Sequence, residues 1–264
     1  MLLKQVVLIG AGNVAWRLGL RLHEQGIKIA LVFSRRIANA QALAGELNCP
    51  ATDSLDKIPA LDNCLYLLAI SDDHIATVAA GLGHLNGPGR VLAHTSGAVS
   101  SRVIAGDFDQ TGVFYPLQTL SRDRPVNFEQ LPVCVYSADP KVQDGLLQLA
   151  SRITQQARVI DDEQRKKLHV AAVFVNNFSN HLFSVGQQIV EAEGLSFDLL
   201  RPLIAETAAK VMEQDPKDMQ TGPARRGDQQ TILAHLQYLQ KFPELQNLYR
   251  VISHSLQQMY HLKP

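Results

Sequence analysis

The chain has 264 residues, 46% hydrophobic and 19% charged, a globular composition that excludes wholesale disorder. Its 25 basic and 25 acidic residues cancel, so no net field draws it to nucleic acid or an anionic membrane, and any anion must be met by a local cluster. The three cysteines, Cys49, Cys64 and Cys134, show neither metal-ligand spacing nor a disulfide framework, and the last two sit in apolar runs as small buried hydrophobes.

The length suits about two domains of roughly 100–200 residues each. The N-terminus begins a strand at once, with no basic flank or cleavage site of a signal peptide. No run reaches the roughly 18 apolar residues that span a bilayer, so the expected location is the cytoplasm. In chain order, apolar runs predict strands at 5–10, 28–34, 64–70, 90–94, 111–115, 132–137 and 157–160. Helical patterns fall between them at 13–25, 37–47, 73–82 and 139–155. Continuous Val/Ile/Leu runs alternating with helices predict a doubly wound, mainly parallel sheet with right-handed crossovers. From Asp161 onward strand signals vanish and helices are expected at 162–193, 196–213, 228–240 and 243–261. Asp161, Ser196, Asp228 and Pro243 are the start signals, and Gly194 is a stop. The expected organisation is an α/β Rossmann domain over 1–160 followed by a separate all-α domain over 161–264.

Gly10-Ala11-Gly12-Asn13-Val14-Ala15 follows the first strand and opens the first helix. Gly10 permits a tight turn, Gly12 a close backbone approach to a diphosphate, and Ala15 a close packing of helix on sheet. The second strand ends in Ser34-Arg35-Arg36, with no acid where NAD binders place one for the ribose. A hydroxyl and two guanidiniums suit a 2′-phosphate, which predicts NADP as the cofactor; the plain alternative is that both arginines are solvated. After the strand at 64–70, Ser71 and Asp72 either contact a ribose or cap the next helix.

The strand at 90–94 ends in His94-Thr95-Ser96-Gly97 on the ligand edge of the sheet. His94, Thr95 and Ser96 with Gly97 there suit a substrate carbonyl or carboxylate, although a strand-end histidine also bonds simply to backbone. On the helix from 162, His169, Asn176 and Asn180 share a stripe that Arg165 and Lys166 flank, while Ala171, Ala172, Phe174, Val175 and Phe178 cover other faces. That predicts a largely buried helix whose polar stripe either faces a cleft between the domains or joins an internal hydrogen-bond network. Lys167 lies off the stripe. In Thr221-Gly222-Pro223-Ala224-Arg225-Arg226-Gly227-Asp228, the arginines either clamp an anion or are solvated beside an Asp228 N-cap.

GAGNVA, SRR, HTSG, YPLQTLS, KKLHVAAVFVNNFSNHL and TGPARRGD together resemble bacterial Rossmann-like proteins described as NADP oxidoreductases of uncharacterised function. These belong to the superfamily of pyrroline-5-carboxylate reductase, deazaflavin oxidoreductases, and prephenate and β-hydroxyacid dehydrogenases. The resemblance covers the whole chain and implies a nucleotide-binding front domain and a helical rear domain that dimerises. Two departures stand out. Tyr115 holds the place where prephenate dehydrogenases put a His before Pro116, and Ala172 stands one turn before Asn176 where β-hydroxyacid dehydrogenases put a catalytic Lys.

The expected activity is hydride transfer between NADP(H) and a small carbonyl, imine or hydroxyacid-type substrate. His169 is the expected proton donor, assisted by Lys166 and Asn176, with His94 as its rival. The alternatives are an NADP-binding sensor without chemistry, or a helical oligomerisation partner with a vestigial nucleotide site. The expected partners are a small-molecule substrate and a second copy of the chain.

Overall fold

The computed structural model describes residues 2–106 and 108–260. It divides into two compact units, Met1–Asn177 and Phe178–Pro264. The first therefore keeps the helix that opens at Asp162, past the point where strand signals end. The reason is packing, since Leu168 of that helix joins the sheet's own core.

The first unit is built on an eight-stranded sheet of order β3-β2-β1-β4-β5-β6-β7-β8. In chain order the strands are β1 (Gln5–Ile9), β2 (Lys28–Phe33), β3 (Ala51–Thr52), β4 (Cys64–Leu68), β5 (Arg90–His94), β6 (Thr111–Pro116), β7 (Val133–Tyr136) and β8 (Ala157–Val159). β1 to β6 pair in parallel, β7 runs antiparallel to β6, and β8 is parallel to β7. All five residues of β4 are buried, as a strand covered on both faces requires.

Side-chain alternation sorts the strands into two cores. One face sets Leu8, Val32, Leu67 and Phe114 against α1 (Asn13–Glu24), α2 (Ile37–Leu47) and, from β7 and β8 back, α4 (Pro140–Ile153). The other sets Ile9, Phe33, Leu68 and Leu92 against α3 (Ile75–Ala80). In β6 the alternation sends Phe114 to the first core, while Val113 and Tyr115 meet Cys134 and Leu168 of α5 (Asp162–Ala172).

α5 starts on a capping box: the Asp161 carboxylate accepts from the Gln164 amide while the Gln164 side chain accepts from the Asp161 N–H. Its hydrogen-bond pattern widens to a π-helix over Val173–Phe178 before α6 (Ser179–Ala192), so the expected 162–193 helix is interrupted.

The second unit continues with α7 (Arg201–Glu213), the short α8 (Pro223–Arg226), α9 (Gln229–Tyr238) and α10 (Pro243–Met259). Gly194 takes φ 71° and ends the α6 region, and Asp228 caps α9 by accepting from the Thr231 amide at 3.1 Å. Neither α6 nor α7 buries a residue within the chain. The expectation that the 162–193 helix is largely buried is thereby corrected, since Val175 is 75% exposed and Leu182 and Phe183 are exposed as well. Among the described residues, no helix is long and apolar enough to cross a membrane.

Candidate active site

The end of β1 is closed by an unusual turn. Gly10 takes φ 120°, and a Cβ there would sit 2.2 Å from the Ala69 carbonyl oxygen, so no other residue fits. Gly12 is the N-cap of α1, with nothing within 4 Å of where its Cβ would be. The helix has no side-chain cap and no acidic residue in its first turn, which leaves its amides and its positive dipole end available to an anion. They open onto a cavity of about 530 Å³ that Gly10, Gly12, Asn13 and Val14 line. Ala15 does not reach it: fully buried in the core, it lets α1 lie close on the sheet.

Two further strand ends complete this cavity. Ser34 and Arg35 line it from β2, whereas Arg36, the N-cap of α2, does not. From β4 come Ser71 and His74. Ser71 occupies an N-cap position but caps nothing with its side chain, and it lines the cavity. Asp72 is exposed beside it, outside the cavity wall, with its charge felt at Tyr115.

The turn after β5 leads from this cavity to a second. Thr95 lines the first cavity. Two residues on, a Cβ at Gly97 would lie 2.6 Å from His169 Nδ1 and 2.8 Å from Tyr115 Cζ. Tyr115 and His169 form one wall of a cavity of about 330 Å³ that Gln118, Thr119, Asn176 and Asn177 also line. Every residue lining it belongs to the first unit. The Tyr115 hydroxyl is 3.2 Å from His169 Nδ1, with the rings edge to face. Burial pushes the Tyr115 phenol up, the Cys134 thiol and Asp72 carboxylate add to this, and Arg165 opposes it, so the hydroxyl keeps its proton at neutral pH.

Three of the expected catalytic residues are corrected by their surroundings. Lys166 pairs with Glu163 at 3.2 Å on the exposed side of α5 and does not line the cavity. His94 is fully buried, and its Nδ1 accepts the Ser96 amide at 3.2 Å. Burial, reinforced by Arg165, lowers its pKa to about 4, so it is neutral at neutral pH, and it lines neither cavity. Ser96 turns inward, its oxygen accepting the amides of Ala98 and Val99 at 3.1 and 3.0 Å. His169 and Asn176 do share a cavity, whereas Asn180 belongs to the second unit.

One helical turn before His169, Arg165 anchors α5. That side chain is fully buried, donates to Asp162 at 2.8 Å, and donates to the Val99 carbonyl. Asp162 in turn accepts from the Ser100 hydroxyl at 2.5 Å and the Ser101 amide at 2.8 Å. α5 is thereby fastened to the same segment that carries Gly97. Elsewhere, Arg225 lies over the Tyr260 ring at 4.0 Å, so that guanidinium has an aromatic partner, and Asp228 takes the N-cap role. Among the described residues no group of three or more His, Cys, Asp or Glu could hold a metal.

Residues 131–256 match a family model described as a domain of unknown function, DUF2520. No curated protein matches the chain in sequence. A solved structure described as a "putative NADP oxidoreductase" from Bacteroides fragilis is 36% identical over 97% of this chain and 98% of its own, with a TM-score of 0.90. The chain belongs to that family. Two more distant structures share the fold: the Thermotoga maritima protein TM1727 (24% identity, 97% and 98% coverage, TM-score 0.73) and a pyrroline-5-carboxylate reductase from Coxiella burnetii (12%, 96% and 98%, TM-score 0.60).

Sequence reasoning singled out Gly97 with its strand end but missed Tyr115 and His74 as residues lining these cavities. Tyr115 carried a weak signal, a tyrosine where a related group places histidine. His74 carried none beyond its position after a strand end.

Proposed function

We propose that the chain is an NADP-dependent oxidoreductase that moves a hydride between the dinucleotide and a small carbonyl, imine or hydroxyacid-type substrate. The observation that carries this reading is the turn after β5, which lines the diphosphate-type cavity with Thr95 and abuts the Tyr115–His169 pair with Gly97. The Bacteroides protein's description agrees in kind. Gly10, Gly12, Asn13 and Val14 would hold the diphosphate, Ser34 and Arg35 a 2′-phosphate, and Ser71 a ribose hydroxyl. When bound, the dinucleotide supplies the hydride.

The chain supplies the proton and the orientation. Tyr115, protonated, donates to His169 Nδ1 and leaves the exchangeable proton on Nε2. If the imidazole is charged, the same contact reverses and the phenol oxygen accepts. In that charged state His169 can give its Nε2 proton to a substrate oxygen or nitrogen, ending neutral with Nδ1–H still donating to the phenol oxygen, and take the proton back in the reverse direction. Asn176 offers both a donor and an acceptor at the cavity wall for orienting the substrate.

A second copy of the chain is the proposed cover for α6 and α7, which expose Leu182, Leu203 and Met212 and bury nothing of their own.

The reading is tested by NADPH calorimetry followed by oxidation assays over a panel of small carbonyls and imines. Binding with turnover that His169→Ala abolishes supports it. Tight binding with no oxidation across the panel would make the chain a sensor, and failure to bind any nicotinamide dinucleotide would remove the reading altogether.

A further inference from the structure

We infer that His74 is a positioning residue for NADP selection, acting through Arg35; this rests on the NADP reading above. The two residues arrive from different strands on opposite sides of the glycine loop, Arg35 after β2 and His74 after β4, with β1 between them. Both line the same cavity, and Arg35 Nη1 lies 3.4 Å from His74 Nε2.

A guanidinium has only donors. At this contact the imidazole nitrogen can act only as acceptor, in the tautomer that carries its proton on Nδ1. Its effect is to occupy one donor of Arg35 and fix the plane of the fork. Among the described residues Arg35 pairs with no carboxylate, so its other donors remain for a ligand.

Ser34 adds to the same corner. Its oxygen accepts the Arg36 amide at 3.4 Å, which leaves the hydroxyl proton to donate. A phosphate dianion offers several acceptor oxygens to an oriented fork and a hydroxyl, and gains from having the long arginine side chain aligned beforehand. A plain ribose hydroxyl carries no charge and gains little. His74 should therefore matter to NADPH and hardly at all to NADH.

The test measures dissociation constants of NADPH and NADH for the full-length wild type, His74→Leu, His74→Gln and Arg35→Ala. Expected are a wild-type preference for NADPH, about tenfold weaker NADPH binding in His74→Leu with NADH within about twofold, and substantial recovery in His74→Gln, whose amide oxygen still accepts. Arg35→Ala should lose the preference. If His74→Leu keeps the wild-type ratio while Arg35→Ala collapses it, the role of His74 is refuted and the NADP reading stands. Equal weakening of both nucleotides by His74→Leu would also refute it, marking a merely structural role. A wild type that does not prefer NADPH would overturn the NADP reading itself, and this inference with it.

Discussion

The Tyr115 hydroxyl and His169 Nδ1 lie 3.2 Å apart although the residues are separated by 54 positions, one at the end of a strand and the other on the helix packed over it. The contact gives the imidazole a fixed partner on one nitrogen and frees the other. Tyr115→Phe should therefore lower kcat by about ten- to a hundredfold and change its pH profile, and His169→Gln should cost about 10²–10⁴. NADPH affinity should hold within about threefold in both. Steady-state rates across pH, with calorimetry as the control, check this.

The two glycines of the first turn should fail differently. Gly10→Ala forces a methyl group into the Ala69 carbonyl at a positive φ, so the thermal midpoint should fall along with dinucleotide binding. Gly12→Ala has open space and φ −83°, so the fold should survive while NADPH binds at least about tenfold more weakly. Melting curves with and without NADPH separate the two effects.

Breaking the Arg165–Asp162 pair should destabilise by about 3–5 kcal/mol, because a fully buried guanidinium would lose its counter-charge. Burial alone would raise the Asp162 carboxyl, but hydrogen bonds from Ser100, Arg165 and Ser101 outweigh it and hold the carboxyl below its ordinary value. The resulting stability is fully present above the unfolded carboxylate pKa of about 3.9 and is lost as pH falls through the lower folded value. Urea unfolding of wild type and Asp162→Asn should differ most at neutral pH, with the gap narrowing in strong acid.

His94 sets a different pH window. Its folded pKa, about 4, lies below the unfolded value, so the folded state loses stability as pH falls from about 6.5 to about 4, by roughly 3 kcal/mol. His94→Asn keeps an acceptor for the Ser96 amide and carries no titrating ring. Its unfolding free energy should be flatter over that interval, as denaturant titrations at stepped pH would reveal.

If a second copy covers α6 and α7, sedimentation at micromolar concentration should show a dimer. Leu203→Glu together with Met212→Glu, both on exposed positions of α7, should shift it to monomer without unfolding the first unit. A wild type that sediments only as monomer would contradict the proposal.

The parts of the fold legible in the sequence are those where local pattern and burial coincide. β4 is a continuous apolar run buried throughout, and Asp161 and Asp228 cap helices where their spacing indicates. β3 is two residues long and has no periodicity to read. The site was half legible. The glycine turn is dictated by its own backbone, and His169 by the polar side of its helix. Lys166 was misjudged because three neighbouring cations look alike in one dimension. The buried side of α5 runs through Arg165 and Leu168, and Lys166 sits about 100° around from Arg165. Tyr115 was hidden because its partner is distant in sequence. His94 and Ser96 looked reactive, but the turn that follows them absorbs their hydrogen bonds.

Gly97 is where a single absent carbon has mechanical weight. Any side chain at that position must wedge the imidazole away from the phenol, since its first atom would already overlap both rings. The backbone that borders the glycine-turn cavity thus doubles as the spacer that lets the aromatic pair close. An alanine here would act as a shim, parting the phenol from the imidazole while leaving the chemical groups of both intact.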